Sequence, residues 1–152
     1  VEPARVDGGE RVSELLFPNT TLRIGRRLVA AALGGGLIAD SFDCAVRTID
    51  WGIGGIDGFG NKIPVSEKNT GFIGGSGNVI ESTTVDASLA SGDEPAVIFH
   101  GALGYSSASN GQKITQIGLK MQNGNYWAIT TFGGFDKDVD TAFIINWKVY
   151  FL

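Results

Sequence analysis

The chain carries one cysteine, one histidine and one methionine in 152 residues, and each scarcity closes off a class of chemistry. With Cys44 alone, neither an internal disulfide framework nor a multi-cysteine metal site is available. Set between Phe42 and Val46, its thiol reads as a small buried hydrophobe. With His100 alone, in Ile98-Phe-His-Gly101, any Ser-His-Asp or Cys-His machinery has to pass through that one residue. Charge is sparse too: charged residues make up 18% and the net charge is -4. No basic field exists to neutralise a phosphate backbone, so nucleic acid is not an expected partner. Long apolar runs are also missing. The longest, residues 28–39 (LVAAALGGGLIA), is interrupted by three glycines and falls short of the roughly 20 residues a membrane-spanning helix requires. Membrane insertion is not expected, and no residue set points to a cofactor.

What the chain has in abundance is glycine, 23 residues in a sequence that is 43% hydrophobic. Such a composition describes a folded, turn-rich domain and excludes a disordered low-complexity chain. The length accommodates one core rather than two. The densest glycine stretch, Trp51–Lys62 (WGIGGIDGFGNK), raises the possibility of a phosphate cradle. Its spacing fails: counted from Gly52, the third glycine of G-x-G-x-x-G falls on Asp57, and counted from Gly58 it falls on Ile63. Pro64 then opposes a following helix. Lys62 has neither the glycine before it nor the hydroxyl after it that a Walker loop needs. The stretch is therefore a turn.

Strand signals dominate beyond Gly34-Gly35-Gly36. They cover 41–51, 71–73, 78–85, 96–100, 113–121, 126–132 and 141–152, at roughly ten-residue spacing with glycine turns, which predicts an all-β antiparallel sandwich or jelly-roll-like domain. Residues 22–33 (LRIGRRLVAAAL) read equally as a short helix halted by the triple glycine or as a strand. Asn123-Gly124 predicts a type I′ hairpin turn between 113–121 and 126–132. The closing segment, apolar almost throughout, predicts a strand buried between layers. Residues 1–21 read as an N-terminal arm and 22–152 as a single β-rich domain. Within the arm, Val12, Leu15, Leu16 and Phe17 are apolar anchors in a polar context, the pattern of a segment ordered by contact with a partner.

Candidate chemistry is thin. The segment 74–78 lacks the final glycine of a G-x-S-x-G elbow, so His100 is expected to play no catalytic part. Asp136, Asp138 and Asp140 imitate the opening of a calcium loop, but Thr141 and Trp147 occupy positions that need glycine and glutamate. A looser calcium site or a solvated turn remains open there. Asn19-Thr-Thr21 is a glycosylation sequon. The more promising residues are aromatic: Trp51, Tyr105, Tyr126 and Trp127 stand beside glycine, serine and asparagine, the setting of side chains that stack on sugars or partner surfaces. Alternation along 126–132 predicts that one of Tyr126 and Trp127 faces outward. The loop 104–111 (GYSSASNG) has a composition suited to adaptable recognition.

An N-terminal arm, a cysteine-poor glycine-rich β-domain and the closing strand FIINWKVYFL together resemble accessory virion domains of bacteriophages, of the fibre-tip or capsid-decoration type. The resemblance implies a non-enzymatic structural or adhesion module on a virion or in an extracellular setting. Its partners would be further copies of itself or another virion structural protein. A glycan-binding, lectin-like module using the aromatics above is the second expectation, with a surface glycan as ligand; a secreted hydrolase is the third.

Overall fold

The computed structural model of the chain describes residues 20–151, together with the backbone of Arg5–Val6 and Arg11–Val12. The strands are β1 (Arg5–Val6), β2 (Arg11–Val12), β3 (Thr20–Thr21), β4 (Val46–Gly52), β5 (Val79–Thr84), β6 (Asp86–Leu89), β7 (Ala96–Leu103), β8 (Lys113–Met121), β9 (Tyr126–Asp136) and β10 (Phe143–Tyr150). Among the described residues there is one α-helix, α1 (Arg23–Leu33), and one short 3-10 turn at Ser76–Asn78. The strands form two five-stranded antiparallel sheets packed face to face: sheet A in the order β2-β1-β10-β7-β6, and sheet B in the order β3-β9-β8-β4-β5. The fold is an all-β sandwich, as the strand spacing predicts. Val85, between β5 and β6, is the corner at which the chain passes from sheet B to sheet A.

Inward-facing residues of the two sheets make the main core. Ile49, Trp51, Ile117, Leu119, Ala128 and Phe132 come from sheet B; Phe99, Leu103, Phe143, Ile145 and Trp147 come from sheet A. Along β10 buried and half-buried positions alternate. The closing strand therefore lies with one face on the core and is not sandwiched between layers; its apolar outward residue Ile144 is half-buried. Sheet B differs, because its outer face is covered as well. Leu22, Phe72, Tyr126 and Ile129 form a second cluster there, beneath α1 and the 53–78 loop. β8 and β9 are consequently buried on both faces, and their near-continuous burial follows.

Residues 23–33 are helical because their apolar positions recur at helical spacing. Gly25, Leu28 and Ala31 are buried, while Arg23, Arg26 and Arg27 face water. The helix ends at the triple glycine, where Gly35 and Gly36 have φ of 91° and 85° and the Gly36 amide donates to the Ala31 carbonyl at 2.9 Å. Gly25 is needed for docking: a Cβ there would lie 3.0 Å from the Tyr126 carbonyl oxygen.

Several expectations need correction. Residues 71–73 form no strand: Phe72 stacks on Tyr126 with ring centroids 5.4 Å apart. The Ile73 amide and carbonyl are each held at 3.0 Å by the Gln116 side chain rather than by a ladder. The 113–136 hairpin turns at 122–125, but not through a type I′ turn, since that geometry needs positive φ at both central residues. Among described non-glycine residues only Asp40 and Asp43 have positive φ; Gly124, at 91°, ends a four-residue turn that its amide closes on the Met121 carbonyl at 2.9 Å. Arg5–Val6 and Thr20–Thr21 pair with β10 and β9 of the same chain, a fact that leaves the arm's boundary as expected from the sequence. Val12 lies in β2; Leu15, Leu16 and Phe17 lie outside the described residues.

The glycine-rich stretch is a turn. Asp57 Oδ1 accepts from the amides of Phe59 at 2.9 Å and Asn61 at 3.0 Å, closing a small loop with an isolated bridge between Ile56 and Lys62.

Candidate functional site

One end of the sandwich is built differently from the rest. There α1 leads into the 34–45 loop, which crosses the starts of β4 and β9. The loop is firmly strapped. Buried Ser41 donates to the Ile38 carbonyl at 2.6 Å, and the Asn123 side-chain amide donates to the Asp40 carbonyl at 2.7 Å. The amides of Gln122 and Asn123 donate to the carbonyls of Ala45 and Asp43 at 2.8 and 3.0 Å. Despite this anchoring, the segment displays its apolar side chains to water: Leu33 is 86% exposed, Leu37 74% and Phe42 65%. Beside them is a hollow of about 250 Å³ lined by Arg27, Ala30, Ala31, Leu37 and Ile38. Charges of both signs flank it, with Arg27, Asp40 and Asp43 exposed. Arg23 and Arg26 instead hold Glu67, at 2.5 and 2.7 Å, and keep its carboxyl below its usual range.

At the same end, the two sheets part into an apolar cleft of about 240 Å³ lined chiefly by Val29, Val46, Val97, Phe99, Trp127 and Val149. Cys44 and Arg47 also line it. The Cys44 thiol donates to the Ser41 carbonyl at 3.1 Å; burial, and then the charge of Asp43, push its pKa up.

The four aromatics singled out from the sequence are scattered. Trp51 is fully buried, donating from Nε1 to Thr83 Oγ1 at 2.8 Å, and offers nothing to a partner. Tyr126 is buried too, its hydroxyl donating to Asp50, whose other oxygen accepts from Ser82 Oγ at 2.6 Å. Burial, then the hydrogen bond to Asp50, push the phenol pKa well above its usual value. The expectation that one of Tyr126 and Trp127 faces outward rests on a wet outer face, and here that face is covered. Trp127 is half-buried at the cleft, its ring 6.1 Å from that of Phe151. Only Tyr105, 43% exposed, stands on the surface, in the 104–111 loop.

That loop is pinned rather than adaptable. Glu81 accepts from the hydroxyls of Ser107 and Ser109 and from the Ser109 amide. Lys137, 1% exposed, donates from Nζ to Asn110 Oδ1 at 2.6 Å and to the Asp138 carbonyl at 2.7 Å.

Strand register assembles one constellation that linear spacing conceals. On the outer face of sheet A, His100 lies between Ser88 Oγ, 3.1 Å from its Nε2, and Asn146 Oδ1, 2.6 Å from its Nδ1. The order is that of nucleophile, base and orienter. Yet Ser88 and His100 are exposed and Asn146 only half-buried, and α1 packs on the other sheet. Among the described residues, nothing there excludes water or gathers donors for an oxyanion. In the acidic turn, Asp138 Oδ1 accepts from the Asp140 amide at 2.9 Å and Thr141 Oγ1 at 3.1 Å. No group of three or more His, Cys, Asp or Glu suited to a metal occurs among the described residues.

Comparison with protein-family models, with curated proteins and with solved structures finds no match to this chain. The geometry alone has to carry the functional reading. Sequence reasoning overlooked the 33–43 surface, whose signal was present: Leu37 and Phe42 continue an apolar pattern past the glycines that end the helix.

Proposed function

We propose that the chain is a non-enzymatic assembly module that associates with a second copy of itself through the 33–43 surface. The observation that carries this reading is the pairing of protruding Leu33 and Phe42 with an adjacent hollow of about 250 Å³. A two-fold interface brings the same patch together from both sides, so projection and recess must occupy one surface. The flanking charges fit that scheme, Arg27 of one copy meeting Asp40 or Asp43 of the other. Exposed apolar side chains held on a strapped loop lose little conformational entropy on association. The role is that of a structural or adhesion component, of the kind that virion accessory domains represent, acting on a virion or outside a cell.

Light scattering coupled to size-exclusion chromatography tests it. Leu37→Asp and Phe42→Asp should each convert an associated species to a monomer while leaving the thermal midpoint unchanged, because neither side chain contributes to the core. A wild type that elutes as a monomer at every concentration overturns the reading.

The glycan-binding alternative retains one favourable observation, the exposure of Tyr105 on a loop fixed by Glu81 and Lys137. A Tyr105→Ala variant that loses retention on a glycan array, where wild type is retained, would establish it.

A further inference from the structure

Apart from self-association, the cleft between the sheets has the features of a small-molecule site. Its walls are the side chains of Val29, Val46, Val97, Phe99, Trp127 and Val149, and space lined this way stays poorly hydrated and gains contacts when an apolar group enters. The volume of about 240 Å³ is that of about eight waters at roughly 30 Å³ each, room for a medium-length alkyl chain. The lining carries one full charge. Arg47 lies on it, exposed, and donates from Nε only to Gln122 Oε1 at 3.2 Å; among the described residues it has no carboxylate partner. We propose that this cleft binds a medium-chain carboxylate, with the alkyl chain between the sheets and the head group on the Arg47 guanidinium.

A guanidinium presents paired donors that match a carboxylate, and an arginine at the mouth of a dry slot supplies orientation while the walls supply affinity. Asp43 acts on the Cys44 thiol but is not part of the lining, so a negative head group is directed to the Arg47 side. A cationic head would meet Arg47 itself.

Cys44, the only cysteine, lines the cleft and serves as an internal reporter. The experiment follows its alkylation by iodoacetamide in the presence of octanoate, octanol or octylammonium, below micellar concentrations. Octanoate should slow the reaction by a factor of one plus the ratio of ligand concentration to Kd, roughly tenfold at ten times Kd, and should do so at lower concentration than octanol. Arg47→Gln should reduce octanoate to the effect of octanol. Val97→Trp, which fills the slot, should abolish protection by both; should that variant unfold, Val46→Phe replaces it. Repeating the series in Leu37→Asp separates protection by ligand from protection by a second copy. Absence of protection by octanoate up to its solubility limit overturns the proposal. So does equal protection by octanol in wild type, or stronger protection by octylammonium.

Discussion

Tyr126 and Lys137 show how single buried polar groups hold this sandwich to one arrangement. Tyr126 closes the second cluster with its ring and satisfies buried Asp50 with its hydroxyl. Tyr126→Phe keeps the ring and leaves a buried carboxylate one donor short, an expected loss of about 1–3 kcal/mol in urea denaturation. The pH dependence has a definite sign. Because the folded pKa lies above the unfolded one, the phenol's contribution is complete below pH ~10. It declines as pH rises further, since the unfolded chain then releases a proton that the native state retains. Wild type should therefore lose stability above about pH 10 more steeply than Tyr126→Phe. Lys137 poses the complementary case of a buried cation solvated by two carbonyls. Asn110→Ala removes one of them and should cost about 1.5–3 kcal/mol. Lys137→Met removes the charge together with its need for acceptors and should cost less, a difference read from the same denaturation curves. Neither role is visible in the sequence: Asn110 and Asp50 become partners of Lys137 and Tyr126 only through loop closure and strand register.

Elements were legible where local chemistry decides them. Residues 113–121 alternate closely enough to locate β8, and the three-residue step from Ile114 to Ile117 coincides with the register shift between Ile114 and Gln116. Residues 71–73 mislead because an apolar triplet seats a plug in a covered sheet face as readily as it forms a strand. β6 escapes the sequence for the opposite reason: its four residues are all exposed and carry no apolar pattern. Turns offer a direct test. Gly124→Val forces a β-branched residue to a φ of 91° and should cost on the order of 1–3 kcal/mol. Gly55→Ala should cost more than Gly58→Ala, because a Cβ at Gly55 collides with the Thr115 carbonyl whereas one at Gly58 meets nothing within 4 Å. Thermal denaturation of the two alanine variants distinguishes a crowded glycine from one in open space.

At the scale of the whole molecule, the two ends of the sandwich differ in what they offer. At the 104–111 end, polar side chains are committed to one another through Glu81, Lys137 and Asn110. At the helix end, Leu33, Leu37 and Phe42 keep most of their surface in water although the backbone that carries them is anchored. Strand spacing predicted the sandwich. Where Leu33 and Leu37 come to the surface depends on where α1 docks, and that follows from Gly25, Leu28 and Ala31 rather than from any motif. The central claim is that Leu33, Leu37 and Phe42 remain exposed because a second copy covers them. Sedimentation velocity over a hundredfold concentration range measures this most directly. Wild type should shift reversibly from monomer to dimer with concentration while Leu37→Asp sediments as a monomer throughout. Identical, concentration-independent sedimentation of the two proteins would contradict it.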